Sequence, residues 1–311
     1  MTITEVFDRL GVPYLSSGHE HTRPGWVQTD CPDCGLTGHW RLGFDERRPG
    51  RCACWACGPK RLGDVLQSLS GESWQTVRPY LVALYGSPQH APADDRKRGR
   101  YDPPETGDLK PIHKRYLEGR GFDWKRLVRF WGVRAVVPHQ ADRHRHYAWN
   151  LFVPVTHRFE AVSFTTRSVN PDAKLRYVSA SKDMEKVDHK SLLYGQDLVP
   201  GNTVVVHEGP FDVWRTGPGA VCTFGTAFSP AQVEKIARYP VRVVCYDFTP
   251  EGQDAARKLC DRLDVFPGET HHVQSLGGAK DAAEASEADV RRLRETFGLP
   301  GYGVSNAIKS L

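Results

Sequence analysis

Five of the eight cysteines of this 311-residue chain fall within 27 residues: Cys31, Cys34, Cys52, Cys54 and Cys57. Cys31-Pro-Asp-Cys34 and Cys54-Trp-Ala-Cys57 form two C-x2-C pairs separated by nineteen residues, the arrangement of two knuckles that close one tetrahedral site. Thiolates suit Zn2+, and the short spacer lets both sulfurs of a pair reach one ion. With four protein ligands the coordination sphere is closed, so the ion holds the fold together and has no open position at which to activate water. Cys52 is a fifth candidate, because an extended strand would turn it to the same side as Cys54. Cys54 ranks above it, since only Cys54 makes the second C-x2-C. His39, between the pairs, is read as a solvated side chain. Around the cysteines lie Trp26, Trp40, Phe44, Trp55 and several arginines, which either stack on single-stranded nucleic acid or pack the small core; the sequence leaves both open.

The rest of the chain divides by composition. Residues 1–90 read as one metal-binding domain: a helix from Thr4 to Leu10 stopped by Gly11, the cysteine region, and an apolar-periodic stretch of helices ending near Gly86. From Gly86 to Leu109 prolines, glycines and charges replace every apolar period, and a linker is placed at 91–109. Residues 110–200 form a basic subdomain. Lys110, Lys114, Arg115, Arg120, Lys125, Arg126, Arg129 and Arg134 face only Glu118 and Asp123 in its first stretch, a local excess of eight minus two, or +6. LFVPVTHRFEAVSFTTRS then predicts two strands around a turn, and RYVSA a third. Over 201–285 apolar strands alternate with helices, which implies a mostly parallel sheet. Residues 286–311 make a helical tail in which Ser286 is the N-cap, with Asp289 three residues on.

Composition narrows the function class. Apolar residues make up 39% of the chain and no 18-residue apolar run occurs, which excludes a membrane-spanning helix. The first residues, MTITEVFDRLGVPY, lack the basic-then-apolar build of a secretion signal, so a cytoplasmic protein is the expectation. The charge sum, 42 minus 37, is +5, which favours an anionic partner.

In the strand and helix region, TVVVHEGPFDVW places Glu208 at a strand end and Asp212 at the start of the next helix. VRVVCYDFTPEGQDAA repeats the device with Asp247, and LGGAKDAAE sets Lys280 and Asp281 just beyond a fourth strand. Carboxylates at the carboxyl ends of parallel strands converge on one rim, where open α/β sheets bind ligands. Several acids on one rim repel unless a divalent cation neutralises them, which implies Mg2+ or Mn2+.

EGPFD, CTFGTA, YDFTPEGQDAA and KDAAE resemble, in order, the TOPRIM domain of bacterial-type (DnaG-like) DNA primases, with its glutamate-glycine motif, aspartate pair and terminal KD motif. The zinc ribbon looks like the family's template-reading zinc domain, and YLEGRGFDWKRLVRFWGV resembles the helical start of its polymerase core. The resemblance covers about nine-tenths of the chain. It implies a mixed α/β fold: an N-terminal zinc ribbon, then a primase core with a parallel-sheet TOPRIM subdomain. It also implies synthesis of short RNA primers on a single-stranded DNA template from ribonucleoside triphosphates. By position, Glu208 matches the family's general base or metal organiser, Asp247 and Asp281 match metal-binding aspartates, and Asp212 matches a supporting acid. Arg167, Lys174, Arg176 and Lys190 fall where the family builds its basic ridge for template and nucleotide phosphates, and Arg115, Arg120, Arg126 and Lys280 are further candidates. Thr249 stands where the second aspartate of the pattern is expected, and Glu251, two residues on, is its possible substitute at the rim. A TOPRIM nuclease would need no zinc ribbon, whereas a non-catalytic DNA-binding replication factor is what Thr249 alone would permit. No G-x-x-x-x-G-K-[ST] loop occurs, so a helicase is expected to be a separate protein, and the length suits a phage or mobile-element primase of a bacterial cell.

Overall fold

The computed structural model describes residues 1–16, 19, 22–34, 38–47, 52–85 and 99–299. It forms two units, Met1–His90 with Ala256–Thr270, and Ala91–Ala255 with His271–Leu311.

The first unit opens with α1 (Ile3–Leu10), whose N-terminus is closed reciprocally: Thr2 Oγ1 accepts the Glu5 amide and Glu5 accepts the Thr2 amide. Gly11, at φ +66°, ends it in the left-handed conformation that glycine adopts without strain. Four antiparallel strands follow, β1 (Trp26–Thr29), β2 (Leu42–Asp45), β3 (Cys52–Cys54) and β4 (Gly58–Lys60), paired in sequence order. Helices α2 (Leu62–Ser70) and α3 (Trp74–Tyr85) complete the unit, as the apolar period predicts. Ile3, Val6 and Phe7 of α1 pack with Phe44 and with Leu66 and Leu81 of the closing helices; the Phe7 and Phe44 rings meet edge to face at 4.9 Å.

In the second unit β5 (Thr106–Gly107), α4 (Pro111–Gly119), α5 (Trp124–Trp131), β6 (Arg134–Val136), β7 (Leu151–His157), β8 (Glu160–Arg167) and β9 (Tyr177–Ser179) follow in turn. The strands form an antiparallel sheet in the order β5-β6-β7-β8-β9. The β7–β8 turn is Arg158-Phe159, with both residues at positive φ, a conformation that usually calls for Asn or Gly. Asp197 supports it by accepting both of their amides at 3.0 Å. The second sheet is built from β10 (Thr203–His207), α6 (Pro210–Thr216), β11 (Ala220–Cys222), α7 (Pro230–Ala237), β12 (Val241–Val244), α8 (Pro250–Leu263), β13 (Glu269–His272) and α9 (Glu287–Thr296). Its order is β11-β10-β12-β13, and β10 runs parallel to both β11 and β12. The mixed α/β fold read from the alternation is the one found. Ser286 caps α9 by accepting the Asp289 amide, as expected. Among the described residues no helix is long and apolar enough to cross a membrane.

Two boundaries differ from the sequence reading. Residues 91–98 of the expected linker, like 300–311 of the tail, lie outside the described residues. Residues 99–109 belong to the second unit: Tyr101 packs on an apolar cluster, Thr106–Gly107 pairs with β6, and Leu109 is buried. That pairing runs through backbone groups, which leave no apolar period to read. The second difference is Ala256–Thr270, expected inside the 201–285 subdomain and found in the first unit. Both Nη2 contacts from Arg61 to the Asp264 carboxylate are 2.8 Å, and Arg61 Nη1 donates to the Thr270 carbonyl at 3.1 Å. Arg78 adds a bond to the Val265 carbonyl at 3.0 Å. The Arg61–Asp264 pair joins residues 203 positions apart, beyond any local pattern.

Arg61 and Asp264 are both buried, so neither charge has water to fall back on. Asp264→Ala is expected to destabilise the first unit by about 3–5 kcal/mol, while the double change Arg61→Met with Asp264→Leu restores most of that loss. Urea unfolding of the full chain measures both; a loss below about 0.5 kcal/mol for the single variant contradicts the assignment.

Candidate functional site

The first unit brings Cys31, Cys34, Cys54 and Cys57 together, their sulfurs all within 4.8 Å of one another. Cys54 is the last residue of β3, and the turn through Trp55 and Ala56 returns Cys57 to it before Gly58, at φ +88°, starts β4. The Sγ separations are 3.6 Å for Cys31 and Cys57, 3.6 Å for Cys34 and Cys54, and 3.3 Å for Cys34 and Cys57. A tetrahedral ion with bonds of about 2.3 Å needs sulfurs about 3.8 Å apart, so the four side chains fit a zinc site. Burial alone would raise the Cys54 thiol, but the amides of Cys57 and Ala56 outweigh it and bring it down to about 7. Cys34 donates its thiol hydrogen to Cys57, and this bond, with the Cys54 contact, pushes Cys34 up to about 12. Such crowding resists further ionisation until a cation takes the place of the protons.

Cys52 shares the inner face of β3 with Cys54 but lies two residues back, about 6.6 Å along an extended strand. Its Sγ donates instead to the Lys60 carbonyl at 3.1 Å, outside the group of four. His39 is also outside the group; its amide, with those of Gly38 and Trp40, is held by Asp30. The aromatics divide between the two readings. Phe44 is core, whereas Trp55 is 51% exposed, with the Arg23 guanidinium 4.1 Å from its ring centroid and Trp26 at 6.3 Å. Trp40 is half-buried.

The second unit gathers the acids. Glu208 follows β10 and Asp247 lies just beyond β12, so parallel neighbouring strands deliver both to one rim. Asp212, in the first turn of α6, accepts the Gly209 amide on Oδ2 at 3.2 Å and the Ala283 amide on Oδ1 at 3.0 Å. Asp281 begins the 3-10 turn Ala282–Glu284 and accepts the Glu284 amide at 2.8 Å. Carboxylate oxygens of Asp212, Asp247 and Asp281 lie within 4.8 Å of one another, and Glu208 Oε1 accepts the Asp247 amide at 3.3 Å. Burial, with repulsion from Asp247, raises Glu208 to about 7. Burial with repulsion from Asp281 does the same to Asp212, and burial with repulsion from Asp212 does it to Asp247, each to about 7. The group therefore fits a divalent cation, whose charge would release those protons.

Glu251 is not part of this group. The Thr249 hydroxyl accepts the Gly252 amide at 3.1 Å and caps α8, and Glu251 is exposed in the first turn of that helix. Gly252 itself is required by closeness: a Cβ there would stand 2.8 Å from Glu208 Oε1 and closer still to the Asp247 carbonyl. Sequence reasoning passed over Gly252, although the glycine one turn into YDFTPEGQ was the available sign.

A cleft of about 340 Å3 holds the four acids together with Arg120, Arg167, Arg176 and Lys280. Arg167 is fixed there: its Nε donates to Tyr116 at 3.1 Å and its guanidinium lies over the rings of Tyr177 and Phe211, at 4.7 and 5.4 Å. None of these aromatics carried a sequence signal. The other basic candidates lie elsewhere. Arg115, Arg126 and Lys174 are exposed and do not line the cleft. Lys190 is turned inward, where its ammonium donates to the carbonyls of Thr223, Phe224 and Ala227 at 3.2, 2.6 and 3.3 Å. Three donors on three acceptors leave it holding the loop that carries Phe224, a cleft residue at φ +60°.

The zinc-binding and RNA polymerase domains of Aquifex aeolicus primase have this fold, matching 96% of this chain and 83% of that one at a TM-score of 0.51 and 16% identity. A four-cysteine module followed by this core is the fold of DnaG-like primases. The RNA polymerase domain of Mycobacterium tuberculosis primase DnaG is matched at 22% identity over 62% of this chain and 67% of that one, at a TM-score of 0.41. The primase fragment of the bacteriophage T7 primase-helicase protein is matched at 16% identity over 86% of this chain and 97% of that one, also at 0.41. No family model matches the chain, and no curated protein does.

The separation of Cys52 from the other sulfurs has a direct consequence. Purified Cys52→Ser protein is expected to keep one tightly bound zinc per chain, and Cys54→Ser to lose it, as measured by elemental analysis. The reverse pattern would move the fourth ligand to Cys52.

Proposed function

We propose that this protein is a DNA primase, a nucleotidyltransferase that makes short RNA primers on single-stranded DNA from ribonucleoside triphosphates. The observation that carries the reading is one cleft in which Asp212, Asp247, Asp281 and Glu208 lie beside Arg120, Arg167, Arg176 and Lys280. Carboxylates suit a divalent cation and guanidinium groups suit phosphates, and phosphoryl transfer needs both together. On this reading the parallel-sheet region is a TOPRIM subdomain, residues 110–200 carry template, and the zinc module reads it with exposed groups such as Trp55 and Arg23. A replicative helicase is a proposed partner, and a bacterial cell, or a phage or mobile element within one, the proposed setting.

Mg2+ or Mn2+, when bound by Glu208, Asp247 and Asp281, would lower the pKa of the attacking 3′-hydroxyl and neutralise charge on the transferred phosphate. Glu208 Oε1, which also accepts the Asp247 amide at 3.3 Å, would organise that cation beside Asp247. Arg167, immobilised between Tyr116 and two rings, meets phosphate oxygens without first losing side-chain freedom. Asp212 holds the turn that carries Asp281 through its bond to the Ala283 amide. Zinc in the four-cysteine site is structural.

Thr249 favours a second reading, a non-catalytic DNA-binding replication factor with the same two modules. Its hydroxyl closes α8 and adds no charge to the rim.

Primer synthesis from labelled ribonucleotides on random single-stranded templates separates the two. The expected result is synthesis that requires Mg2+ or Mn2+, favours Mn2+, and falls about 100-fold or more in Glu208→Gln and Asp247→Asn. Thr249→Asp keeps the helix cap, because aspartate is also a good N-cap, and adds one negative charge two residues from Asp247, which should lower the metal concentration required through charge and not through ligation. Glu251→Gln should change it little, since Glu251 lies outside the acidic group. Wild-type protein that binds template and nucleotide but makes primer only as Thr249→Asp would establish the second reading.

A further inference from the structure

Trp149, the second residue before β7, is half exposed at 50% and has φ +66°. A bulky residue pays for that left-handed conformation with a clash between its Cβ and its own backbone. The surrounding bonds hold it there. Its amide donates to the Val136 carbonyl at 3.3 Å, and its carbonyl lies 2.9 Å from Nε2 of His113. His113 is fully buried on α4, and its Nδ1 accepts the Lys110 amide at 3.1 Å. With Nδ1 used as an acceptor, the ring proton sits on Nε2 and is donated to Trp149. Burial lowers the His113 pKa, which keeps this single tautomer neutral. The fold thus spends a buried histidine with both nitrogens satisfied on fixing a strained tryptophan whose indole projects into solvent.

The clamp sits on α4, the helix that also supports the cleft. Three residues after His113 on the same helix, Tyr116 accepts the Nε bond of Arg167 at 3.1 Å, and Arg167 is a wall of the acidic cleft. Residues three apart on a helix are about 5–6 Å neighbours, so one turn of α4 holds both the Trp149 clamp and the support of Arg167. Arg120, which also lines the cleft, ends that helix, and Lys110 and Arg115 are exposed along it. From its N-cap to its C-cap α4 carries Lys110, Lys114, Arg115 and Arg120 against the single acid Glu118, so the helix that holds both the clamp and the cleft is cationic.

We propose that Trp149 is a base-stacking platform for single-stranded nucleic acid passing along α4 beside the cleft, and that His113 is its positioning residue. An aromatic face takes any base, and the neighbouring cations take the phosphates. The proposal rests on the primase reading for the identity of the strand, and deepens it by naming where a nucleotide outside the cleft is held.

The test is binding of a labelled oligothymidylate to the full chain across a salt series. Trp149→Ala is expected to weaken binding about tenfold or more at fixed salt, while the slope of log affinity against log salt stays that of the wild type, because no phosphate contact is lost. Trp149→Tyr should stay within about threefold of wild type, since it keeps a ring to stack on. Trp149→Gly separates recognition from structure: glycine relieves the positive φ, so melting temperature should hold or rise while affinity falls as in the alanine variant. Wild-type affinity in both the Ala and Gly variants overturns the proposal, as does a loss of affinity that appears only together with a loss of melting temperature. Tryptophan-dependent binding without primer synthesis by the wild type would reject the primase reading and leave this inference standing. Primer synthesis with Trp149-independent binding would do the opposite.

Discussion

Three carboxylates share a space 4.8 Å across at the carboxyl ends of β10 and β12, with a fourth beside them, and at an effective dielectric of about 20 each pair of charges at that separation repels by about 3 kcal/mol. No arrangement of four ionised acids is stable there alone; protons or a cation must share the space. Much of the local architecture follows from holding them in place. Asp212 is tied by one amide from α6 and one from the turn after Asp281, so the helix start and the turn are set by the same carboxylate. Gly252 lets the first turn of α8 press against Glu208 and the Asp247 carbonyl. The basic groups then enter on aromatic supports, Arg167 between Tyr177 and Phe211 and Arg120 over Phe211, where they balance the cleft without collapsing onto the acids.

The first unit solves a different problem with the same economy. Its core is small, built from one helix, short strands and two closing helices, and modules of this size commonly need a metal or another staple to hold together. Four cysteines on two turns supply the metal site. The buried Arg61–Asp264 pair supplies a second long-range tie.

What could be read from the sequence is what fixed spacing or period encodes. The paired cysteines, the strand and helix alternation, the caps at Gly11 and Ser286, and the acids at strand ends all have such signatures, and the structure has them where they were expected. What escaped is decided by distance in space. Lys190 and Arg167 both read as phosphate-binding cations, yet one is spent on three carbonyls and the other is held over rings in the cleft. Thr249 read as a weakened metal ligand and Glu251 as its relief, whereas the first caps a helix and the second faces solvent. Side-chain type suggested the chemistry in each case; only the fold assigns the partner. The strained backbone at Trp149 and Phe224 is likewise invisible in sequence, because neither residue type favours positive φ.

The central claim is that the acidic group is a cation site held at the edge of ionisation, and the dependence of stability on pH and Mg2+ tests it most directly. Glu208, Asp212 and Asp247 are raised to about 7 in the folded chain, above the ordinary carboxylate values of about 4. Between these values the folded state binds more protons than the unfolded one, so their contribution favours folding below about pH 4 and is lost as the pH rises through about 7. Mg2+ replaces the protons. It should therefore raise the melting temperature strongly near pH 8 and little near pH 5, and Asp247→Asn should abolish most of the difference. Equal stabilisation by Mg2+ at the two pH values, or an Mg2+ effect that survives Asp247→Asn, would contradict the account.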